Sequence, residues 1–419
     1  MDIAKAGPAE TAAHTDTEVW TAIEAELARQ EHQLELIASE NHASAEVLAA
    51  MATAPNNKYA EGYPGRRYYG GCEHVDVIED LARDRAKALF AAERANVQPH
   101  SGSQANVAAL MALCEPRDRV LAMSLDHGGH LSHGHPKNFS GLFYEFHSYG
   151  VAQGTERVDM DQVRERALAV KPQVLMAGAS AYSRTLDFPA FAEIAREVGA
   201  HLLVDMAHIA GLVAGGVHPS PVPHAQVTTM TTHKTLRGPR GGLIVCGKDW
   251  IKQINSTVFP GNQGGPFMHI IASKAIALRE AGSPEFADYA KRVVANARVL
   301  ADNLAARGLR IVSGGTDNHL MLVDVTPMGL TGAQAEELLH AVDLTCNKNL
   351  IPYDQNPPMQ ASGIRLGTAA VTTRGLGPEH MLQLASWIAD VLSEPDDASV
   401  AKRVRGEVAE LARAYPIYA

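Results

Sequence analysis

Apolar residues recur with two different periods along the middle of the chain. Short runs of β-type apolar residues cover 119–124, 173–178, 201–206, 226–231 and 242–247. Apolar residues at helical spacing predict helices that alternate with these runs, over 76–93, 103–113, 158–170 and 188–199. Strands that are apolar on both faces and separated by helices are typical of a mostly parallel sheet covered on both sides. The pattern therefore predicts an α/β fold.

The two ends of the chain follow other patterns. Residues 1–16 are small and polar and are expected to fray, and helical spacing then predicts a helix over 18–36. A long helical stretch over 266–307 precedes strand-like runs at 309–313 and 320–325 and helices at 332–343, 378–394 and 397–413. We expect an N-terminal arm over 1–40, a large α/β domain over 41–289 and a smaller α+β domain over 290–419.

Composition and charge narrow the class of protein. The 419 residues are 46% hydrophobic and 20% charged, which is ordinary for a soluble globular protein with room for two domains. The net charge of −10 argues against a nucleic acid or an acidic membrane as partner. Because the first residues lack the basic start and apolar run of a signal peptide, and no apolar run is long enough to span a membrane, we expect a cytoplasmic protein.

Neither the cysteines nor the histidines predict a metal site. The four cysteines are far apart, form no CxxC pair and are expected to be buried thiols of a cytosolic enzyme; they are Cys72, Cys114, Cys246 and Cys346. A glycine-rich segment carries His127, His130, His133 and His135, without the HExxH spacing of a zinc helix. Stacking on a flat cofactor is the better interpretation for one of these imidazoles, and ordinary loop hydrogen bonding accounts for the others.

A lysine follows one predicted strand and an aspartate ends another. Lys234 lies just before a Gly- and Pro-rich turn, a position that suits covalent chemistry if a pocket lowers the lysine pKa, although most loop lysines are simply solvated. Asp205 ends the run 201–205, where a carboxylate can pair with a protonated pyridine nitrogen, although a cap or turn role is commoner for one such residue. Their separation of 29 residues lets the two side chains meet from adjacent strands.

Two glycine-rich segments are candidate anion sites. The segment PHSGSQAN over 99–106 opens a predicted helix, where free N–H groups and the helix dipole favour a phosphate. A simple serine N-cap is the alternative interpretation. The turn GNQGGP over 261–266 offers a further anion contact.

Seven segments in order resemble one enzyme family, the serine hydroxymethyltransferases, which are fold-type I pyridoxal-phosphate enzymes. The segments are LELIASEN, NKYAEGYPGRRYYGG, VQPHSGSQAN, VDMAHIAGL, TTHKTLRGPRGG, GNQGGP and SGIRLGT, and the resemblance runs from about residue 18 to the last residues. It implies transfer of the hydroxymethyl carbon of L-serine to tetrahydrofolate, which yields glycine and 5,10-methylenetetrahydrofolate. Pyridoxal 5'-phosphate is the implied cofactor and tetrahydrofolate the implied co-substrate.

The resemblance also implies a cofactor site. Lys234 would form the Schiff base, Asp205 would pair with the pyridine nitrogen, and His208 would lie near the phenolic oxygen. His130 would stack on the ring, and His233 is counted among the catalytic residues. The implied contacts to the rest of the cofactor are Gly102, Ser103 and Ser180 from one subunit, with Tyr59, Gly264 and Gly265 from its neighbour. A shared site implies at least a homodimer and leaves a tetramer open.

The substrate site follows from the same resemblance. Ser39 and Arg365 would bind the serine carboxylate, which an arginine can hold in a bidentate manner. Glu61 and Tyr69 would manage protons at the serine hydroxyl and the folate. The implied pterin pocket consists of Leu125, Gly129, Leu131 and Asn349.

Four positions differ from residues that are usual in the family: Met230, Leu350, Ala361 and Ala369. One interpretation is that these residues have changed by neutral sequence drift, at positions that do not contact the substrate. The other is altered specificity, either for α-methylserine with tetrahydrofolate or for threonine in a folate-independent aldolase or transaldolase. Because Glu61, Leu125 and Asn349 of the implied pterin site match the family, tetrahydrofolate remains the predicted co-substrate. Because Lys234, Asp205 and Arg365 are all present, a non-enzymatic binding role is disfavoured.

Overall fold

The computed structural model describes residues 15–418. The predicted fraying of residues 1–16 lies almost entirely outside the described residues. In chain order, the helices are α1 (Thr17–His32), α2 (Ala45–Met51), α3 (Glu73–Phe90), α4 (Gly102–Leu113), α5 (Phe139–Phe143), α6 (Met160–Val170), α7 (Phe188–Val198), α8 (Ala210–Ala214), α9 (Ile251–Ser256), α10 (Met268–Ala281), α11 (Pro284–Ala306), α12 (Gly332–His340), α13 (Ala369–Thr373), α14 (Pro378–Ser393) and α15 (Ala398–Ala414). The strands are β1 (Leu34–Glu35), β2 (Gly62–Tyr63), β3 (Arg66–Arg67), β4 (Arg94–Asn96), β5 (Arg119–Met123), β6 (Glu145–Tyr149), β7 (Val174–Ala177), β8 (His201–Asp205), β9 (Val227–Thr231), β10 (Gly242–Cys246), β11 (Arg310–Ile311), β12 (Leu320–Asp324), β13 (Leu344–Thr345), β14 (Asn347–Asn349) and β15 (Gly363–Gly367).

A seven-stranded sheet with the strand order β4-β10-β9-β8-β7-β5-β6 forms the centre of the large α/β part. The pairs from β9 to β6 are parallel, whereas β10 runs antiparallel to β9 and β4. Leu202 and Val204 of β8 pack into one core cluster and Leu203 packs into another, so the two faces of the strand are both buried. The predicted α/β class and mostly parallel sheet are therefore confirmed.

A smaller antiparallel sheet, β11-β12-β15-β14, packs with the C-terminal helices around a second core. Helix α11 belongs to both parts. Phe286 and Val293 lie in the large core, and Leu300 and Leu304 lie in the small one. The predicted domain boundary at residue 290 falls inside this helix, and the three domain ranges stay a prediction.

Several predicted elements end elsewhere in the structure. The helix expected over 18–36 ends at His32, because Leu34 and Leu36 are buried in the small core and β1 pairs in parallel with β13. The stretch over 266–307 is two helices, separated where Ser283 caps α11 and Pro284 opens it without an amide hydrogen to donate. Strand β6 was not predicted, because its sequence EFHSY is polar and it lies at a sheet edge.

All four cysteines are buried, as their spacing predicts. Among residues 15–418, no helix is both long enough and apolar enough to cross a membrane. Within the same range, no three His, Cys, Asp or Glu side chains are grouped so that they could hold a metal ion.

Candidate active site

A cleft of about 440 Å³ opens at the carboxyl ends of β8 and β9. The predicted site residues that line it are Ser39, Gly102, Ser103, Leu125, His130, Leu131, Ser180, Asp205, His208, His233, Lys234 and Arg365. Other lining residues are Glu40, Ser101, Asn106, His133, Ala179, Ala207, Thr231 and Arg240. The cleft thus joins the segment before α2, the central sheet and strand β15 of the smaller sheet, as ligand sites at the carboxyl ends of α/β sheets commonly do.

Asp205 lies at the floor of this cleft and accepts three hydrogen bonds. Its Oδ1 accepts the Ala207 amide at 3.0 Å, and its Oδ2 accepts Asn106 Nδ2 at 2.8 Å and His133 Nε2 at 3.0 Å. Burial alone would raise the pKa of the Asp205 carboxyl, but the hydrogen bonds from His133 and Asn106 hold it well below its usual range. Asp205 is therefore an anion at neutral pH. Sequence reasoning missed Asn106 and assigned His133 only ordinary loop contacts.

Lys234 follows β9 in a loop that is held by hydrogen bonds to neighbouring segments. Its carbonyl accepts Asn41 Nδ2 at 2.9 Å, and Thr235 Oγ1 donates to the His208 carbonyl at 2.8 Å. Burial lowers the pKa of the Lys234 ammonium to about 8, although the nearby Asp205 charge opposes this shift. A sizeable fraction of the amine is consequently neutral near physiological pH, as covalent reaction with a carbonyl requires.

The N-terminus of α4 faces the cleft beside the end of β9. Ser101 caps the helix by accepting the Gln104 amide at 3.2 Å. A Cβ on Gly102 would lie 2.5 Å from Thr231 Cγ2, so only glycine allows the helix to start this close to the strand. The first turn of α4 therefore lines the cleft at the place where the sequence predicts an anion site.

A buried lysine that the sequence did not single out holds the segment before α4. Lys274 of α10 donates from Nζ to the carbonyls of Val97, Pro99 and Gly242 at 2.8, 2.9 and 2.7 Å. Burial lowers its pKa to about 7, but three acceptors match the three hydrogens of the ammonium form. Lys274 thereby joins the segment before α4 to the start of β10.

His208 contacts a second buried histidine that sequence reasoning missed. His208 Nδ1 lies 3.3 Å from His319 Nε2, which also lies 3.2 Å from the Ala38 carbonyl oxygen. Burial lowers the pKa of both imidazoles, to about 3 for His319. Because a carbonyl only accepts, the His319 proton lies on Nε2 and His208 Nδ1 is an acceptor. His208 therefore carries its own proton on Nε2.

Arg365 and Ser39 line the same cleft because β15 packs against the segment before α2. The Gly367 amide donates to the Leu36 carbonyl at 2.7 Å. Arg365 donates from Nη1 to the Ser180 carbonyl at 2.7 Å and from Nε to Asn347 Oδ1 at 3.2 Å. Burial lowers the pKa of Arg365 to about 10, so the guanidinium stays charged at neutral pH.

A second group of predicted residues lies together outside this cleft. The Tyr59 hydroxyl donates to Glu61 Oε1 at 3.0 Å, and the rings of Tyr59 and Tyr69 meet edge to face at 5.0 Å. A Cβ on Gly264 would lie 3.3 Å from Glu61 Oε1, and one on Gly265 would lie 3.3 Å from the Tyr59 ring. Tyr59 and Tyr69 are about half exposed. We call these five residues the Tyr59 cluster.

The remaining predicted residues border the cleft or lie away from it. Gly129 is not a lining residue, but its carbonyl accepts Ser180 Oγ at 2.8 Å. Leu125 and Leu131 line the cleft and are about half exposed. Asn349 is on β14, where its Nδ2 donates to the Leu350 carbonyl at 2.7 Å, and it does not line the cleft.

The four departures from the usual family residues lie away from the cleft lining. Met230 is buried in the large core between Thr229 and Thr231, so it lies on the face of β9 opposite to Thr231, which lines the cleft. Ala361 and Ala369 are buried before and after β15, and Leu350 follows β14. No described side chain that lines the cleft is one of the four.

Known proteins of one family are similar to the chain over nearly its whole length. The family model for serine hydroxymethyltransferase matches residues 12–388. A protein named serine hydroxymethyltransferase from Acidobacterium capsulatum is 56% identical over 406 residues, which cover 97% of this chain and 95% of that protein. Both findings agree with the resemblance carried by the seven segments.

Proposed function

We infer from these findings that the chain belongs to the serine hydroxymethyltransferase family, and we propose that the cleft around Lys234 is where it binds pyridoxal phosphate and acts on serine. The enzyme is a one-carbon transferase that moves the hydroxymethyl carbon of L-serine to tetrahydrofolate. The observation that carries the proposed site is that Asp205, which ends β8, and Lys234, which follows β9, line the same cleft.

Features of the cleft fit the cofactor. The close start of α4 at Gly102, with Ser103 beside it, suits the phosphate group, and Ser180 lines the same cleft. The lowered pKa of Lys234 suits its covalent bond to the aldehyde carbon. An ionised, buried Asp205 suits a protonated ring nitrogen. We therefore assign these residues to cofactor binding.

The protein residues would direct the chemistry of the bound cofactor. When bound, pyridoxal phosphate would supply a protonated ring that stabilises the electron pair left when the Cα–Cβ bond of serine breaks. Asp205 would hold the ring proton, because a carboxylate has lone pairs beyond those used by its three present donors. His208 would donate its Nε2 proton to the phenolic oxygen, and His130 would stack on the ring. His233, whose pKa burial lowers to about 3, would be a neutral neighbour of Lys234.

Arg365 and Ser39 would bind the carboxylate of the amino acid. Two Arg365 nitrogens already hold Ser180 and Asn347, and these contacts fix the plane of the guanidinium. The remaining hydrogens of a charged fork suit a carboxylate. Serine bound in this way would place its Cα next to Lys234.

We further propose that the Tyr59 cluster completes the cleft of a neighbouring subunit in a homodimer. The support is that Glu61 and Tyr69, which are expected to move protons at the serine hydroxyl, lie outside the cleft of their own chain. Tyr59, Gly264 and Gly265 would reach the phosphate of the neighbour. Helix α1 adds an exposed apolar surface, because Val19, Ile23 and Leu27 are each about half exposed and α1 has no buried residue.

Tetrahydrofolate would enter at the exposed mouth of the cleft. Leu125 and Leu131 offer apolar surface there for the pterin. Gly129 and Asn349 would lie at its edge and contribute hydrogen-bonding groups. We also propose a cytoplasmic location, which the four free, buried thiols support.

L-Serine is the favoured donor over the alternatives named from the sequence. The positions of Met230, Leu350, Ala361 and Ala369, away from the lining, support drift rather than a new specificity. Formation of methylenetetrahydrofolate by the purified enzyme, with L-serine and α-methylserine as separate donors, is the decisive measurement. Turnover of L-serine is the expected result. Turnover of α-methylserine alone would overturn this assignment, and so would turnover of neither donor together with folate-independent cleavage of threonine.

A further inference from the structure

The guanidinium of Arg67 binds the main chain on both sides of Glu61. Its Nη1 donates to the carbonyl of Ala60 at 2.9 Å and to the carbonyl of Gly62 at 3.0 Å. The carbonyl of Glu61 itself accepts the Tyr68 amide at 3.0 Å. The carbonyls of three consecutive residues are therefore held in place, and Glu61 is the middle residue of the three.

Arg67 is itself anchored to helix α3. Its Nε donates to Asp76 Oδ1 at 2.8 Å, and its Nη2 donates to Glu79 Oε2 at 2.7 Å. Gln98 Nε2 donates to the other Glu79 oxygen and to the Gly62 carbonyl, each at 2.9 Å. The side chains of Arg67 and Glu79 are 3% and 1% exposed, so solvent does not compete for these contacts.

Only an arginine side chain suits this position. Nε, Nη1 and Nη2 of Arg67 each reach a different acceptor group, which requires the rigid fork of a guanidinium. A lysine would keep the charge, but its single nitrogen could not bind α3 and both carbonyls beside Glu61. A buried ion pair is weak grounds for inferring stability. The two carbonyl contacts, however, act on the segment that bears Glu61.

We propose that Arg67 is a positioning residue for proton transfer by Glu61. By fixing the backbone of residues 60–62, it directs the Glu61 carboxyl toward the serine hydroxyl in the shared site. The inference rests on the role of Glu61 given under the proposed function. A displacement of about 1 Å in a reacting group lowers a rate by about 100-fold, so loss of this anchor should reach the chemical step.

A double-mutant cycle with Arg67→Lys and Glu61→Gln tests the proposal, with methylenetetrahydrofolate formation from L-serine as the measurement. Arg67→Lys is expected to lower kcat by about 10- to 100-fold and to leave the KM for serine nearly unchanged, because Arg365 binds the carboxylate. In the Glu61→Gln background the same change should alter the residual rate by less than about twofold. An equal loss in both backgrounds, or an undiminished kcat in the single variant, would overturn the proposal.

Hydrogen exchange in the cofactor-free protein supplies a readout that is independent of activity. The Tyr68 amide, which binds the Glu61 carbonyl, should exchange about tenfold faster in Arg67→Lys, while the amides of α4 keep their rates. Arg83→Lys is the matched control, since Arg83 also forms an ion pair with an α3 carboxylate, that of Asp80, but its side chain is about one-third exposed. It should change neither readout. Unchanged Tyr68 exchange in Arg67→Lys would count against the proposal.

Two further outcomes stay distinguishable. If the wild-type enzyme does not use serine and folate, the proposed function fails, while the Tyr68 exchange still reports whether Arg67 orders this segment. If Arg67→Lys does not fold, Asp76→Asn replaces it in the cycle, because this change removes the charge that anchors Arg67 Nε and keeps the guanidinium. Asp76→Asn should lower kcat less than Arg67→Lys does, and it should have almost no effect on kcat in the Glu61→Gln background. An equal effect of Asp76→Asn in both backgrounds would overturn the proposal.

Discussion

His133 donates from Nε2 to Asp205 Oδ2 over 3.0 Å, while its other ring nitrogen accepts the His130 amide at 3.4 Å. The two contacts define one tautomer of His133, with the proton on Nε2. Both side chains are buried, at 1% and 9% exposure. His133 thus supports the ionised form of the carboxylate that is proposed to face the cofactor ring.

Replacement of His133 by phenylalanine removes one of these donors, so the pKa of Asp205 should rise toward the value that burial favours. A carboxyl whose pKa is lowered by folding stabilises the fold above its ordinary pKa, and the contribution disappears as the pH falls through the folded-state pKa. Asp205 should therefore stabilise His133→Phe less than the wild type at neutral pH, and the variant should lose less of this stability as the pH falls below the ordinary carboxyl pKa of about 3.9. Thermal unfolding of the cofactor-free protein between about pH 3 and pH 7 should show the difference in Tm between the two proteins narrowing toward acid pH. His147→Phe, which removes an exposed partner of Glu145, should match the wild type.

The lowered pKa of Lys234 predicts how the cofactor-free protein reacts with pyridoxal phosphate. The neutral amine is the nucleophile, so the rate of covalent bond formation should rise with pH and level off above about 8. An ordinary lysine would level off only above about pH 10.4. Stopped-flow absorbance across this range measures the rate, and Lys234→Ala should show no covalent phase. A rate that still climbs tenfold per pH unit at about pH 10 would contradict the buried site.

Loss of Lys274 should destabilise the protein and weaken cofactor binding together. Lys274→Met removes a donor from the buried carbonyls of Val97, Pro99 and Gly242. Pro99 keeps the Gly242 amide at 3.0 Å, and each carbonyl that is left unpaired costs about 1–3 kcal/mol. We expect a lower Tm and a higher Kd for pyridoxal phosphate, measured by differential scanning fluorimetry and absorbance titration. The control Lys291→Met removes an exposed lysine paired with Asp288 on α11 and should change neither value.

Hybrid dimers test the shared site. Lys234→Ala and Glu61→Gln should each be nearly inactive with serine and folate. Coexpression should restore about a quarter of the wild-type activity, because half of the dimers are hybrids and each hybrid has one site with both residues intact. Mixing the two purified variants without subunit exchange is the control. If coexpression restores nothing, Glu61 and Lys234 act within one chain.

The sequence predicted the residues whose chemistry depends on a local pattern. Asp205 ends one recognisable strand and Lys234 follows another, and parallel strands bring their carboxyl ends to one edge. Glycine at position 102 and the cap at Ser101 likewise belong to a readable helix start. These signals are short in sequence, so a single chain is enough to find them.

The supporting residues could not be predicted in the same way. Lys274, Arg67 and His319 bind main-chain carbonyls that come from distant segments. Every residue has a carbonyl, so no side-chain pattern marks the partner, and only the folded chain brings donor and acceptor together. The helix predicted over 18–36 was too long for a related reason, since the pairing of β1 with β13 joins segments more than 300 residues apart.

Helix α11 packs into both hydrophobic cores, with Phe286 in the large one and Leu300 in the small one. Neither core can lose its packing without freeing one half of this helix. Calorimetry should therefore record a single heat-absorption peak rather than one for each half of the molecule. Since Lys234 comes from one half and Arg365 from the other, the proposed cofactor cleft should be lost in the same transition, and no partly unfolded state that still binds pyridoxal phosphate should appear on heating.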